Sequence, residues 1–198
     1  MTLATVLLVG GGSRRMGRDK ATLMLEGHPL WQRQLGLLRE LSPAEMFIAG
    51  HHAPEWLPVD LRFIADPPDG QGPLGGVTAA LGAMSATHLL ALAIDMPAMS
   101  AGHLATLWSA ASPGCGVAPW VGDHPEPLPA VYPAEAFSLA SERLAGAEFS
   151  LNAFTEVLLS GGRMKRHAVA DLEATLYANC NTPADWERHA TARENLYD

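Results

Sequence analysis

A short apolar run that ends in three consecutive glycines constrains the fold of this chain more than any other feature. Residues 3–9 are rich in Leu, Val and Thr, and Gly10, Gly11 and Gly12 follow directly, which is typical of a buried strand that runs into a tight loop. Glycines lack a Cβ atom, so their backbone N–H groups can approach an anion closely. Four of the thirteen lysine and arginine residues then fall within seven positions: Arg14, Arg15, Arg18 and Lys20. We therefore predict a loop that binds several phosphate groups.

Two common phosphate-binding motifs do not match this loop. Gly12 and Gly17 have the glycine spacing of a Walker A motif, but Arg18 and Asp19 stand where that motif has Lys and Ser or Thr. The dinucleotide-binding pattern requires a third glycine at position 15, which is Arg15. For the glycines alone, an ordinary turn with a solvated basic flank is the alternative. The basic cluster and the carboxylates described below favour the phosphate-binding interpretation.

Composition limits the class of protein. With 198 residues, 48% of them hydrophobic, the chain has the size and apolar content of one globular domain. The two cysteines, Cys115 and Cys180, lack the spacing of metal ligands and are expected to be reduced thiols. A formal net charge of −8 argues against nucleic-acid binding. No stretch has the length of a membrane span, and residues 1–10 lack a secretory signal, so we expect a cytoplasmic monomer without membrane contact.

The basic residues are distributed unevenly. None occurs between Arg62 and Arg143, a region that contains Asp66 and Asp95, and positive charge returns at Arg163, Lys165 and Arg166. This distribution suits an anionic substrate bound around a divalent cation. The second basic group either holds part of the substrate or forms a solvated turn.

Strand and helix signals alternate through the first half of the chain. Apolar runs at 46–49, 61–65 and 88–94 predict strands, and helical spacing begins at Pro29, in 77–84 and at 101–111. This alternation predicts an α/β fold with a mostly parallel sheet flanked by helices. Asp66 and Asp95 each follow a strand, and open sheets of this type bind ligands beyond the carboxyl ends of their strands. Ser100 is placed to cap the next helix, which leaves Asp95 free for another role.

The second half of the chain has a looser pattern. Strands are predicted at 116–121 and 128–132, helices at 134–144 and 151–159, and a final helix at Pro183 with Thr182 as its cap. We expect one domain with two halves, residues 1–112 and residues 113–198.

Several motifs, spread over almost the whole chain, carry a family resemblance. They are Leu8-x-Gly10-Gly11-x-Ser13-x-Arg15-Met16-Gly17-x-Asp19-Lys20, Asp66 with Gly72-Pro73-Leu74-x-Gly76, Asp95-Met96-Pro97, Pro127-Leu128-Pro129-Ala130-Val131-Tyr132, and Asn179-x-Asn181-Thr182-Pro183. Together they resemble the molybdenum cofactor guanylyltransferases, within the wider group of nucleotidyltransferases that share a Rossmann-like sheet. The resemblance implies a three-layer, Rossmann-like fold and one nucleotidyltransferase domain, in which residues 1–112 bind the nucleotide and residues 113–198 bind the acceptor.

The resemblance implies a transfer of GMP from GTP to the terminal phosphate of molybdopterin, with release of pyrophosphate and dependence on Mg²⁺. GTP and molybdopterin would then be the partners. The resemblance leaves open whether proteins that deliver or receive the cofactor also bind. By matching positions, the residues that bind GTP would be Leu8, Val9, Gly10, Gly11, Lys20, Asp66, Gly76 and Asp95. Asp95 would also bind the metal, Asn179 and Asn181 would lie on the acceptor side, and Arg15, Lys20 and Asp95 would be the catalytic residues.

One departure from the family pattern leaves the identity of the nucleotide base undetermined. The second strand of the family often ends in an asparagine that contributes to the nucleotide pocket, and Ala49 stands at that position here. The alternatives are therefore a related nucleotidyltransferase that uses CTP or another phosphorylated cofactor precursor, and a non-catalytic nucleotide-binding protein. Lys20 and Asp95 are both present, which argues against the last of these.

Overall fold

A computed structural model describes residues 1–10, 19–66, 71–182 and 184–187. The predictions for Gly11 and Arg15 and the start of the last helix at Pro183 lie outside the described residues. The described strands are β1 (Leu3–Leu8), β2 (Met24–Leu25), β3 (His28–Pro29), β4 (Glu45–Gly50), β5 (Arg62–Ala65), β6 (His88–Ala93), β7 (Gly116–Val121), β8 (His124–Pro125), β9 (Ala130–Pro133) and β10 (Met164–Ala168). The described α-helices are α1 (Leu30–Glu40), α2 (Gly72–Ala83), α3 (Ala101–Ala110), α4 (Ala136–Ala145) and α5 (Leu151–Ser160), followed by a short helical segment at 184–187.

The strands form an eight-stranded sheet with the order β10-β7-β9-β6-β1-β4-β5, and β8 pairs with β7. Strands β6, β1, β4 and β5 are parallel to one another, as are β7 and β10, whereas β9 runs antiparallel to β6 and β7. The short strands β2 and β3 form a separate hairpin. The predicted mostly parallel, Rossmann-like α/β sheet is therefore confirmed.

The centre of the sheet is buried on both faces because β1 and β6 carry apolar residues on both sides. Along β1, Val6 and Leu8 pack in the core on the side of α2, α4 and α5, while Leu7 packs in the core on the side of α1 and α3. On β6, Leu89 packs on the side of α2, α4 and α5, and Leu90 packs on the side of α1 and α3. This arrangement explains why neither strand shows an alternating pattern.

Side chains fix where several helices begin. Ser100 Oγ accepts a hydrogen bond from His103 N at 3.2 Å, as predicted, and Ser150 does the same for Ala153 N at 3.2 Å in α5. Thr182 Oγ1 accepts from Asp185 N at 3.2 Å. In return, Asp185 Oδ2 accepts from Thr182 N at 2.8 Å, which completes a reciprocal cap around the segment at 184–187.

The segment after α5 differs from the sequence prediction. The sequence analysis considered a basic turn at Arg163–Arg166, but residues Met164–Ala168 form the edge strand β10, which pairs with β7. Met164 is the only fully buried residue of the strand, so its apolar pattern is too weak to signal a strand. Lys165 and Arg166 are exposed, and the Arg166 guanidinium lies 3.9 Å from the centre of the Trp120 ring. A 3₁₀ helix at Asp171–Tyr177 was likewise not predicted.

Within the described part of the chain, none of the helices combines the length and the apolarity that a membrane span requires.

Close backbone packing between β7 and β9 gives a testable prediction for stability. A Cβ atom on Gly116 would lie 2.0 Å from Val131 O and 2.9 Å from Pro133 Cδ, so Gly116→Ala must displace backbone and should lower the free energy of unfolding by roughly 1–3 kcal/mol or more. Gly36 lies inside α1 with no heavy atom within 4 Å of its Cβ position. The control Gly36→Ala should raise the free energy of unfolding by about 0.5–1 kcal/mol. Urea denaturation measures both, and equal changes in the two variants would contradict the packing described here.

Candidate active site

A cleft of about 660 Å³ opens at the carboxyl ends of the parallel strands. Its lining includes every predicted site residue that the structure describes: Leu8, Val9, Gly10, Lys20, Asp66, Gly76, Asp95, Asn179 and Asn181. The structure therefore brings together residues that are spread from β1 to the end of the chain. Gly11 and Arg15 lie outside the described residues.

Lys20 is at the centre of the cleft. Its Nζ atom lies 3.2 Å from Asp95 Oδ2 and 2.7 Å from Asn181 Oδ1, and its side chain is only 10% exposed. An ammonium group only donates hydrogen bonds, so the amide atom that faces it must be the oxygen of Asn181. The buried charge of Lys20 is thus matched by one carboxylate and one amide oxygen.

Asp19 and Trp56 orient the turn that carries Lys20. Asp19 Oδ1 accepts from Ala21 N at 3.0 Å and caps a 3₁₀ turn at Lys20–Thr22. Asp19 Oδ2 accepts from Trp56 Nε1 at 3.1 Å, and the Trp56 ring stacks on Trp31 at 5.1 Å between ring centres. The sequence analysis missed Trp56 because its contact joins residues 37 positions apart and no motif contains it.

The chain near the C-terminus reaches the cleft through its own hydrogen bonds. Cys180 N donates to Asp95 O at 2.9 Å, and Asn181 N donates to Asp185 Oδ2 at 3.0 Å. The carboxylate of Asp185 therefore fixes the backbone of Asn181 and the start of the 184–187 segment together. As a result, the amide of Asn181 is held in position beside Lys20.

Asp66 provides a buried acceptor at the β5 side of the cleft. Its backbone N donates to Gly50 O at 2.8 Å, and its side chain is only 10% exposed. Burial raises the pKa of the Asp66 carboxyl, and His51, whose Nδ1 lies 4.0 Å from Oδ2, opposes this shift. Oδ1 is buried and has no hydrogen-bond partner in the described part of the chain. An N–H donor from a bound ligand would satisfy this oxygen.

Two glycines make room for the Asp66 carboxylate. A Cβ atom on Gly10 would lie 2.8 Å from Asp66 Oδ2, and one on Gly76 would lie 3.0 Å from Oδ1 and 2.9 Å from Leu8 Cδ2. These distances are too short for a side chain at either position. The glycines of the first and second motifs thus have a steric role at the same carboxylate.

Ala49 does not offer a side chain to the cleft. It is completely buried, and its methyl group lies 3.6 Å from the Cβ position of Gly76. Its carbonyl accepts a hydrogen bond from Val9 N at 2.8 Å. On this side of the cleft, Asp66 offers a polar side chain and position 49 does not.

Asp95 is the residue that fits a divalent cation. It is the second residue after β6, its side chain is 22% exposed, and in the described part of the chain Oδ1 has no hydrogen-bond partner. The described residues contain no group of three or more histidine, cysteine or carboxylate side chains that could hold a metal ion. Mg²⁺ in nucleotide sites commonly uses one or two carboxylates and completes its shell with phosphate oxygens and water. A single carboxylate beside a phosphate site has this donor set.

The opposite wall of the cleft comes from the second half of the chain. Glu126, Pro127, Leu128, Asn152 and Asn179 line it. Burial raises the pKa of the Glu126 carboxyl, and His124 opposes this shift. The sequence analysis did not identify Glu126 or Asn152 as site residues, because neither belongs to one of the motifs on which it relied.

The second basic group lies elsewhere. Lys165 and Arg166 line a separate depression of about 470 Å³ together with Trp120 and Glu156. Neither these two residues nor Arg163 lines the main cleft. The structure thus gives no support to the hypothesis that this group holds the substrate.

Comparison with known proteins agrees with this geometry. Residues 5–158 match the family described as MobA-like NTP transferase domain. A "probable molybdenum cofactor guanylyltransferase" from Opitutus terrae is 40% identical over 190 residues, which cover 94% of each chain. The "molybdenum cofactor guanylyltransferase" of Xanthomonas euvesicatoria is 32% identical over 184 residues, 92% of each chain.

A solved structure has the same fold. The molybdopterin-guanine dinucleotide biosynthesis protein A from Archaeoglobus fulgidus superimposes with a TM-score of 0.72 at 24% identity, over 97% of this chain and 99% of that one. Because the family match covers more than half of the sequence and the relatives align over nearly their whole length, this chain belongs to the family of MobA-like NTP transferases.

Proposed function

We propose that this protein transfers GMP from GTP to the terminal phosphate of molybdopterin and releases pyrophosphate, which forms the guanine dinucleotide cofactor. The observation that carries the proposal is the contact of Lys20 with both Asp95 and Asn181 in one cleft, in a chain whose relatives are named for this activity. The expected location is the cytoplasm, where GTP is available.

The two substrates would enter the cleft from opposite sides. In this proposal residues 1–112 bind GTP and residues 113–198 bind the acceptor, with Asn179 and Asn181 on the acceptor side. The lining supports this division, because Asp66 and Gly76 come from the first half whereas Asn152 and Asn179 come from the second. The reacting phosphates would then meet near Lys20.

The chemistry requires charge neutralisation more than a base. An oxygen of the acceptor phosphate attacks the α-phosphorus of GTP, and the bond from that phosphorus to the β-phosphate oxygen breaks as pyrophosphate leaves. A phosphate monoester has a second pKa of about 6, so it is largely ionised at pH 7 and needs no side chain to remove a proton. The protein must instead hold two anions together and stabilise the charge that develops on the leaving group.

Three residues divide this task in the proposal. Lys20 donates to the transferring phosphate, while Arg15 and the amides of the glycine loop bind the β- and γ-phosphates. Asp95 would hold Mg²⁺, which would supply positive charge to the phosphate groups. Lys20 Nζ lies 3.2 Å from Asp95 Oδ2, which supports a position for its charge beside the metal and the transferring phosphate.

Asp66 is proposed to select guanine. Guanine presents two neighbouring N–H donors, N1–H and the 2-amino group, and one carboxylate can accept both. Adenine, cytosine and uracil do not present this pair on that edge. The buried Asp66 Oδ1, which has no partner in the described part of the chain, supports a ligand donor at this position.

A panel of nucleotides tests the proposed function against its alternatives. GTP with Mg²⁺ should raise the melting temperature more than CTP, ATP or UTP, because binding at 100 times the Kd stabilises a protein by about 2.7 kcal/mol. A preference for CTP would replace the guanylyl assignment with a cytidylyl one. If GTP binds but no GMP reaches molybdopterin, the protein is a nucleotide-binding protein without this activity.

Removal of the Lys20 charge should reduce turnover while the fold stays intact. We expect Lys20→Ala to lower kcat by about 100-fold or more, because it deletes a charged donor to the transition state. The control is Arg39→Ala, which removes a cation from an exposed pair with Asp60 and should leave kcat unchanged. Near-normal turnover in Lys20→Ala would remove this residue from the mechanism.

The raised pKa of Asp66 predicts an unusual pH dependence of GTP binding. Protonation turns one carboxylate oxygen into a donor, so affinity for GTP should be full above the folded pKa and should fall as the pH drops through it. This fall should begin at a higher pH than for an ordinary aspartate.

The variant Asp66→Asn should abolish this pH-dependent step and weaken GTP binding by about 10- to 100-fold. Asp60→Asn, at an exposed site, is the matched control. Titrations of GTP between pH 4 and 8 provide the measurement, and a step that persists in Asp66→Asn would contradict the assignment.

A further inference from the structure

Three carboxylates occupy different positions along the carboxyl edge of the sheet. Asp66 follows β5, Asp95 follows β6, and Glu126 follows β8, which pairs with the end of β7. In the strand order β7-β9-β6-β1-β4-β5, Asp66 and Glu126 lie on opposite sides of Asp95. β8 pairs with β7 on the same side as β9, so at about 4.8 Å per strand the lateral offset from β6 is about 14 Å on the β5 side and about 5 Å on the β8 side.

The backbone around Glu126 is held firmly. Glu126 N donates to Pro119 O at 2.9 Å. The carbonyl of the following residue, Pro127 O, accepts from the hydroxyl of Tyr132 at 2.7 Å. Tyr132 is completely buried, and Glu126 lies between Pro125 and Pro127, whose φ angles are restricted by their rings. The carboxylate is therefore presented to the cleft from a rigid support.

Among the described residues the Glu126 side chain has no direct polar contact, although the nearby His124 partly opposes the rise of its pKa. It is half-buried and lines the cleft, but among the described residues it makes no hydrogen bond and no ion pair. Burial accordingly raises the pKa of the Glu126 carboxyl. A desolvated acceptor of this kind gains most from a ligand that brings N–H donors.

Two amides stand on the same wall of the cleft. Asn152 is the second residue of α5, whose start is fixed by the Ser150 cap, and Asn179 follows the 3₁₀ helix Asp171–Tyr177. In the described part of the chain, neither amide has a side-chain hydrogen bond. The wall thus offers an acceptor pair on Glu126 and both donors and acceptors on the amides.

We propose that Glu126 recognises the pterin ring of the acceptor, by accepting hydrogen bonds from its N3–H and its 2-amino group, while Asn152 and Asn179 bind the 4-oxo group and the adjacent ring atoms. This inference rests on the proposed function, in which the acceptor is a pterin phosphate. The pyrimidinone ring of a pterin carries the same two neighbouring donors as guanine. Glu126 and Lys20 line the same cleft, so a molecule whose ring contacts Glu126 can direct its terminal phosphate towards Lys20.

The kinetic test separates this inference from the proposed function. Wild-type protein is first shown to transfer GMP from GTP to molybdopterin; if it does not, the proposed function fails and the inference fails with it. In Glu126→Gln and Glu126→Ala, the KM for molybdopterin should rise about 10- to 100-fold because a charged hydrogen-bond acceptor is lost. The KM for GTP and the kcat at saturating acceptor should not change.

Glu156→Gln is the matched control, since Glu156 lines the separate depression beside Trp120 and not the cleft. It should leave every constant unchanged. An unaltered KM for molybdopterin in both Glu126 variants, in a protein that transfers GMP, would overturn the inference and leave the proposed function standing.

A second measurement identifies the ring edge that Glu126 contacts. Two competitive inhibitors are compared: 6-hydroxymethylpterin and its lumazine analogue, which has an oxo group in place of the 2-amino group. Wild-type protein should bind the pterin at least about 10-fold more tightly, because the oxo group faces the carboxylate without a proton to donate. Glu126→Gln should lose this preference, since its amide can donate to the oxo group. An equal response of the wild-type protein to both compounds contradicts the assignment.

Discussion

The arrangement of the cleft depends on the buried ammonium group of Lys20. Its two partners, Asp95 and Asn181, are 75 and 161 residues away in the sequence, so three distant parts of the chain must meet before the charge is matched. A buried charge that loses its partner is strongly destabilising. Sheet assembly brings Lys20 to Asp95, because β1 and β6 are parallel neighbours. Docking of the chain near the C-terminus then adds Asn181 and closes the cleft on that side.

The docking itself relies on a second buried polar group, His103 in α3. His103 Nδ1 lies 3.2 Å from Glu173 Oε1, and its Nε2 lies 2.6 Å from the Tyr177 hydroxyl. A carboxylate only accepts, so in the neutral ring Nδ1 carries the proton and Nε2 accepts from Tyr177. Burial, with the nearby charges of Glu126 and Glu173, raises the pKa of Tyr177, which keeps its hydroxyl protonated as a donor. The segment that carries Asn179 and Asn181 is thereby fixed to α3.

Local sequence patterns predicted the strands and the helix start that depend only on neighbouring residues. The continuous apolar runs of β1 and β6 and the cap of Ser100 needed no knowledge of distant residues, and the predicted strands and helix agree with the fold. The edge strand β10 was missed because burial of Met164 alone leaves no periodic signal. Motifs identified Lys20, Asp66 and Asp95, and the cleft contains all three. Trp56 and Glu126 could not be predicted, because only the tertiary fold brings Trp56 to Asp19 and Glu126 to the cleft.

The charges of the cleft explain how a protein with a net charge of −8 can bind two phosphorylated substrates. Asp66 and Glu126 lie on either side of the centre, where Lys20 is held, so negative, positive and negative groups follow one another along the edge of the sheet. Each half of the cleft has a carboxylate on the outside and Lys20 at the centre. A substrate with N–H donors at one end and phosphate at the other therefore fits each half in one orientation only. Under the proposed roles, both substrates must then place their phosphates at Lys20, head to head. Burial disfavours the charged form of both carboxylates, and His51 and His124 oppose this in part; a ligand that supplies donors would offset the penalty further. Under the proposed roles, the carboxylates select the rings, and Lys20 sets the point at which the two phosphates are joined.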